Sequence, residues 1–254
     1  MSIDEAVQLI WEEGRQGRYM PESLRGKLNF DEGLRVQLGV LERQKESGER
    51  LAGWKIGLTS ERVRKRYGTD QQPFGHIMAH RVFDSGGEVP WGEIMNCGIE
   101  PELCWTIGET LRGPGITRDQ ARAAVAGVCA GFEINEGRSA GSDDFPLAIA
   151  DNMSQWGIVC GEGLTPVPGD FDFDALAVEM RLGDEVKASA VGRDVIDDHF
   201  RSLSVLANKL GEYGRPLEAG QRVITGSFAK FDVTQGQTWR AEFAGIGEVR
   251  MSFS

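Results

Sequence analysis

The chain has 254 residues, 40% of them hydrophobic and 26% charged, with a formal net charge of −11. Such a composition buries a sizeable core in one large domain, or in a domain with a smaller attachment. An acidic chain without a run of Lys and Arg speaks against nucleic acid or an anionic membrane surface as partner. With neither a secretory apolar segment nor a stretch long enough to span a bilayer, it is expected in the cytoplasm.

The first 50 residues read as a helical region. "SIDEAVQLIWEEGRQGR" opens on a capping box, Ser2 with Glu5, and sets Ile3, Val7 and Ile10 on one stripe. "DEGLRVQLGVLERQKES" repeats the pattern with Leu34, Leu38 and Leu41. From residue 51 the period shortens. "AGWKIGLTS" alternates, with Trp54, Ile56 and Leu58 against Lys55, and further strands are predicted over 99–106, 128–134, 176–182, 186–190, 221–227 and 239–253. Gly183-Asp184 and Gly245-Ile246-Gly247 mark turns. Thr117, with Gln120 as its box partner, caps a predicted helix over 118–130, and "DHFRSLSVLANKLGEYG" predicts another with Phe200, Leu203, Leu206 and Leu210 facing the core. Strands outnumber helices after residue 50 without regular alternation. The expectation is an α+β chain: a helical region over 1–50, then over 51–254 a domain built on a mixed, curled sheet with flanking helices.

The chemistry starts from "GIEPELCW". Glu100 and Glu102 stand one residue apart in an apolar run, where an ionised side chain is costly to desolvate. In a strand they share a face, roughly 6–7 Å apart. Either they face water or something positive sits between them. A third acid, Glu133, lies in the apolar "VCAGFEINEGR", and three carboxylates meeting at one point would suit Mg2+ or Mn2+. The pair fits a solvated sheet face equally well. With three histidines in all (His76, His80 and His199), a nitrogen-rich Zn2+ site is not expected. Lys55 is a lone cation in a strand of Trp, Gly and Ile. It either snorkels at an edge or points into a pocket, where a desolvated lysine can pass a proton or bind an oxyanion. Cys97, Cys104, Cys129 and Cys160 lie in apolar contexts without C-x-x-C spacing, so they read as buried thiols, with no disulfide framework and no zinc site.

Six segments carry a family resemblance. "GWKIGLTS", "DQQPFG", "IEPELCW", "GFEINEGR", "ADNMSQWG" and "VITGSF" follow in order and spacing from about residue 50 onward. Together they resemble the 2-hydroxypenta-2,4-dienoate hydratase group of the fumarylacetoacetate hydrolase superfamily, close to the 4-oxalocrotonate decarboxylases. The resemblance implies a mixed β-roll and a Mg2+ or Mn2+ ion on Glu100, Glu102 and Glu133. It also implies a small 2-hydroxy-dienoate or 2-oxo acid as substrate, and a homo-oligomer. Lys55 matches the family's lysine, for proton transfer or oxyanion stabilisation, with Asp70 as a candidate partner. Arg138, Asp151 and Asn152 match positions that line or brace the pocket. Thr225, Gly226 and Ser227 would offer backbone and hydroxyl groups to the substrate carboxylate. Loops, among them 139–150 and the region of Phe200, would meet the substrate's distal end.

Two departures bear on the reaction. Pro73 stands where some hydratases of the group carry an acid, which leaves Asp70 or His76 to position water. Asp198-His199-Phe200 replaces a Gly-His-Pro, which makes His199 structural. The implied activity is water addition to a 2-hydroxy-2,4-dienoate, by way of its 2-oxo tautomer, giving a 4-hydroxy-2-oxo acid in aromatic or steroid catabolism. The alternatives on the same fold are a 2-oxo acid decarboxylase and an acylpyruvate C–C hydrolase. A non-catalytic partner subunit would have no need of three acids and a lysine.

Overall fold

The computed structural model of the chain describes residues 1–138, 143–167 and 169–254. In chain order these form helices α1 (Ile3–Gly14) and α2 (Phe30–Glu46), strand β1 (Leu51–Ile56) and helix α3 (Glu61–Arg66). Strands β2 (Phe74–Met78), β3 (Val82–Asp84), β4 (Glu88–Val89) and β5 (Cys97–Ile107) follow, then helix α4 (Arg118–Ala123) and strand β6 (Val125–Glu136). Helix α5 (Phe145–Ala150) leads to strands β7 (Gln155–Cys160), β8 (Ala177–Leu182) and β9 (Glu185–Val191) and to helices α6 (Gly192–Val195) and α7 (His199–Glu212). Strands β10 (Arg222–Ser227), β11 (Phe231–Asp232), β12 (Thr238–Phe243) and β13 (Gly247–Phe253) complete the chain.

The strands make two open mixed sheets. The larger runs β2-β1-β10-β5-β6-β7-β3 with β11 added beside β5, and the smaller runs β4-β13-β12-β8-β9. β1–β10, β3–β7 and β13–β4 pair in parallel, and the other ladders are antiparallel. β2 and β7 lie far apart in the strand order yet come into contact, so the large sheet curls into a roll without closing. The expected mixed, curled sheet with flanking helices is the observed architecture.

The helices form where caps and period agree. Ser2 and Glu5 close the box that starts α1, and Thr117 and Gln120 the one that starts α4. In α2, Leu34, Leu38 and Leu41 are buried as the stripe predicts. In α7, Phe200, Leu203, Leu206 and Leu210 are buried, each adding about 1.5–3 kcal/mol of transfer free energy. Gln37 is fully buried on α2 and donates from Nε2 to the carbonyls of Phe74 and Ile149, at 2.8 and 2.9 Å. That side chain pins α2 to β2 and α5.

Two expectations are corrected. The helix predicted over 118–130 ends at Ala123, because residues from Val125 onward enter a ladder with β5, with Val125 opposite Ile107 and Cys129 opposite Cys104. Long-range pairing overrides the local helical period there. The strand predicted over 239–253 is the hairpin β12–β13, folded at the Gly245-Ile246-Gly247 turn. β2 and β7 escaped sequence reading because every residue in both is buried, so neither shows the alternation that marks a strand with one wet face.

Candidate functional site

β5 and β6 build the carboxylate cluster. Glu100 and Glu102 occupy one face of β5, and the register sets Glu133 of β6 directly opposite Glu100. Oxygens of all three lie within 4.8 Å of one another. Glu102 and Glu133 are each only 3% exposed, so the solvated-face alternative does not hold for them. Lys55 reaches the cluster from β1: its Nζ lies 2.6 Å from Glu133 Oε1 and donates to the carbonyl of Met153 at 3.0 Å. A buried positive group thus meets the cluster through Glu133. The exposed Lys230, 3.2 Å from Glu100 Oε1, and Asn135 Nδ2, at 3.2 Å from the same oxygen, also meet Glu100.

The electrostatics of the cluster are one-sided. Burial, reinforced by Glu133 and Glu100, lifts the pKa of Glu102 well above the ordinary carboxylate value, against the pull of the Gly226 N–H and Lys55. Burial also raises Glu133 despite its bond to Lys55. Burial opposes the Lys55 ammonium, but Glu133, Glu100 and Glu102 outweigh it and hold its pKa above the usual lysine value. Three acids and one buried lysine leave an excess of two negative charges, which fits a divalent cation. The donors are hard oxygens, and no histidine joins them among the described residues.

Backbone groups complete the site. Gly226 donates its N–H to Glu102 Oε2 at 2.6 Å. Its φ of +123° suits glycine, and a Cβ there would fall 2.1 Å from Thr59 Oγ1. The carbonyl that holds Lys55 belongs to a run of three non-glycine residues at positive φ, Asn152 (57°), Met153 (52°) and Ser154 (60°). A left-handed turn of this kind costs roughly 1–2 kcal/mol per residue. Asn152 sustains it by bonding both backbone groups of His76, accepting from N at 2.8 Å and donating to O at 3.0 Å.

The remaining expected residues fall elsewhere. Arg138 is paired with Glu136 at 2.7 Å and Asp151 at 3.5 Å, and its guanidinium lies 4.3 Å from the Tyr19 ring centroid. Arg138, Asp151 and Tyr19, together with Asn152 and His76, line a cavity of about 520 Å³ against α1 and α2, apart from the three acids. Burial pushes Asp151 up to about 6, with Arg138 opposing. His76 follows Gly75, the residue opposite Lys55, so it points to the other face of the sheet, where burial and then Arg138 hold it neutral with a pKa of about 3. Asp70 is exposed in a separate groove with Thr59, Arg64 and Asp197, and the two hydrogen-bond partners of Lys55 are others. The Thr225 hydroxyl accepts from Trp105 Nε1 at 2.8 Å and meets His199 Nδ1 at 2.7 Å, on the face away from the acids. Ser227 donates to the carbonyl of Ala229. His199 is buried and neutral, with a pKa of about 4, as a structural histidine would be. Residues 139–142 of the loop expected at the distal end of the substrate lie outside the described residues.

Sequence reading missed Met153, Gly226 as a ligand-fixing donor, Lys230, and a meeting of three thiols. Cys104, Cys129 and Cys160 converge within 4.8 Å, although no spacing in the chain announces it.

Comparison with known proteins follows the same outline. A family model described as fumarylacetoacetate (FAA) hydrolase C-terminal matches residues 56–254. The chain is 28% identical over 235 residues to 2-hydroxyhexa-2,4-dienoate hydratase of Comamonas testosteroni, covering 90% of this chain and 88% of that one. It is 32% identical over 209 residues to 2-keto-4-pentenoate hydratase 2 of Dechloromonas aromatica, covering 82% and 79%. Among solved structures, 4-oxalocrotonate decarboxylase from Pseudomonas putida G7, complexed with magnesium and adipate, superposes with a TM-score of 0.91 at 23% identity, over 99% of this chain and 97% of that one.

Proposed function

The chain belongs to the fumarylacetoacetate hydrolase family, and on that premise we propose that it is a hydro-lyase of aromatic catabolism. It adds water to a 2-hydroxy-2,4-dienoate, by way of the 2-oxo tautomer, to give a 4-hydroxy-2-oxo acid. The observation that carries this reading is the three-acid cluster, with Glu102 and Glu133 buried and Lys55 bonded to Glu133. The relatives named as hydratases of a 2-hydroxy-2,4-dienoate and of a 2-keto-4-pentenoate support the substrate class. Mg2+ or Mn2+ is the cofactor that matches the donor set, with Glu100, Glu102 and Glu133 as its holders. Bound there, the ion would act as a Lewis acid on the substrate's 2-oxygen.

The chain's own groups do the rest. The Gly226 N–H fixes one oxygen of Glu102, which leaves the other directed by that bond. An ammonium has three donors, and Lys55 uses two of them on Glu133 and Met153. The third serves the substrate, either to place a proton on the distal carbon of the dienol, with the proton that leaves the 2-hydroxyl restoring the ammonium, or to hold the oxygen that gains negative charge. Water then contributes its hydroxyl to carbon 4 and a proton to carbon 3. Arg138, Asp151 and Asn152 act behind Lys55 by holding the turn whose carbonyl it grips. The reading extends to a cytoplasmic homo-oligomer acting on small molecules, with neither nucleic acid nor membrane as partner. No described helix is long and apolar enough to cross a membrane.

One observation favours decarboxylation of a 2-oxo acid as the second reading. Pro73 is buried directly before Phe74-Gly75, with Asp70 exposed and His76 on the far face of the sheet. Loss of CO2 needs no acid to position water. Purified protein with Mg2+, given a panel of dienoates, 2-oxo acids and acylpyruvates, separates the readings by dienol absorbance and product mass. Gain of one water supports the hydratase. Loss of CO2 or carbon–carbon cleavage without hydration replaces it, and inertness toward the whole panel removes it.

A further inference from the structure

We propose that Cys104, Cys129 and Cys160 form a three-thiolate site for a soft, thiophilic metal ion, Cu(I), distinct from the carboxylate cluster. The ladders bring these residues together: Cys104 of β5 stands opposite Cys129 of β6, and Cys160 of β7 stands opposite Gly131, two residues along from Cys129. All four cysteines of the chain are free and buried, so no disulfide competes for the three sulfurs. The Cys104 and Cys160 sulfurs are 3.6 Å apart, and all three lie within 4.8 Å of one another. Metal–sulfur bonds of about 2.3 Å in a trigonal plane set sulfurs about 4.0 Å apart. The one pair at 3.6 Å lies just short of that value and the other sulfurs stay within 4.8 Å, so small side-chain shifts suffice to close the site.

The surroundings select a soft ion. Ile77, Ile158 and Ile224 wall the thiols from water, which suits a weakly hydrated cation. Among the described residues no fourth Cys, His, Asp or Glu joins the cluster, which disfavours tetrahedral Zn2+ and favours an ion content with three sulfurs. Each thiol that binds releases its proton to solvent. Arg222 supplies a positive charge beside Cys160 and the anionic complex. Hard and soft ions thus sort along one face of the roll. Glu102 and Cys104 are two residues apart on β5, and oxygen ligands give way to sulfur over that single step.

The test uses the full chain, reduced and metal-free, titrated anaerobically with Cu(I) against a chromogenic Cu(I) chelator. One Cu(I) per chain should be withdrawn from the chelator, with an ultraviolet thiolate-to-copper charge-transfer band that excess Mg2+ leaves unchanged. Cys129→Ser should weaken binding by more than the ~10–100-fold typical of losing an outer-shell partner. Cys97→Ser should bind as the parent does, since Cys97 lies outside the cluster. X-ray absorption of the copper-loaded parent guards against a poorly folded variant and should show three sulfur neighbours. The site is overturned by failure to compete with the chelator, by equal affinity in Cys129→Ser, or by a coordination shell of nitrogen and oxygen.

Discussion

Lys55 is gripped by Glu133 and by the carbonyl of Met153, so its position does not depend on substrate. Lys55→Met should therefore fold and still bind Mg2+, while turnover falls by roughly 10²–10⁴-fold, the span for losing a positioned proton donor. Steady-state kinetics alongside calorimetric Mg2+ titration checks this, and parent-like turnover would remove Lys55 from the mechanism. Lys55→Arg keeps the charge but does not readily release a proton, so recovery in that variant would assign an oxyanion-holding role. Thr225 makes the opposite case. Thr225→Val strips buried Trp105 and His199 of a partner and should cost about 1–3 kcal/mol in urea unfolding, with turnover of the folded protein retained. The two residues also show what a sequence makes legible at this scale. The E-x-E pair and a lone lysine stand out as charges where charge is costly. Thr225 matches a pocket motif, yet its hydroxyl serves the far side of the strand. The Met153 carbonyl and the Gly226 N–H have no letter of their own, because every residue carries such groups and only the fold selects which of them meet a side chain.

Among the elements, β10 carries the sharpest constraint. Its Gly226 combines a φ of +123° with a missing Cβ that would meet Thr59 Oγ1 at 2.1 Å, and its N–H holds Glu102. Gly226→Ala should lose at least ~2–3 kcal/mol, from backbone strain and from the displacement of Thr59. Its Mg2+ affinity should fall as well, because Glu102 loses its fixed donor. Gly236→Ala is the control, at a φ of +81° with nothing within 4 Å, and should cost only about 1–2 kcal/mol without touching affinity. Equal losses in both, measured by urea unfolding and calorimetry, would mean that Gly226 is only a turn residue. The helices α1, α2 and α7 were legible because a 3.6-residue stripe and a capping residue agree in each. β2 and β7 were not, since burial on both faces erases the period. The junction of α4 and β6 misled because its residues suit a helix locally and a ladder globally. The same ladder hides the thiol cluster, which depends on register across three strands and on no spacing within one.

For the whole molecule, two sets of buried groups pull stability in opposite directions with pH. His76 and His199 have pKa values of about 3 and about 4 in the fold, against 6.5 in the unfolded chain. Below pH 6.5 the unfolded chain takes up protons that the fold refuses, so their contribution is present above that pH and is lost as pH falls. Glu102 and Glu133 are raised above 4.5, so in the metal-free protein their contribution is full below that value and is lost as pH rises through the raised pKa values. Only the glutamates answer to metal. A divalent ion replaces the protons that these acids otherwise hold, so its binding competes with protonation. The rise in Tm on saturation with Mg2+ should therefore be small near pH 5 and larger near pH 8, while the acid-side loss from the histidines persists with or without metal. Glu102→Gln should flatten the pH dependence of that rise and cut turnover, because an amide is a poorer ligand and leaves the ion undercharged. His199→Asn should leave the metal-dependent rise in place and soften only the loss of stability below pH 6.5. Thermal unfolding across the pH range, with and without Mg2+, reads both effects in one series. A Tm indifferent to Mg2+ at every pH would leave Lys55 as the cluster's sole buried counter-charge and would remove the metal from the proposed reaction.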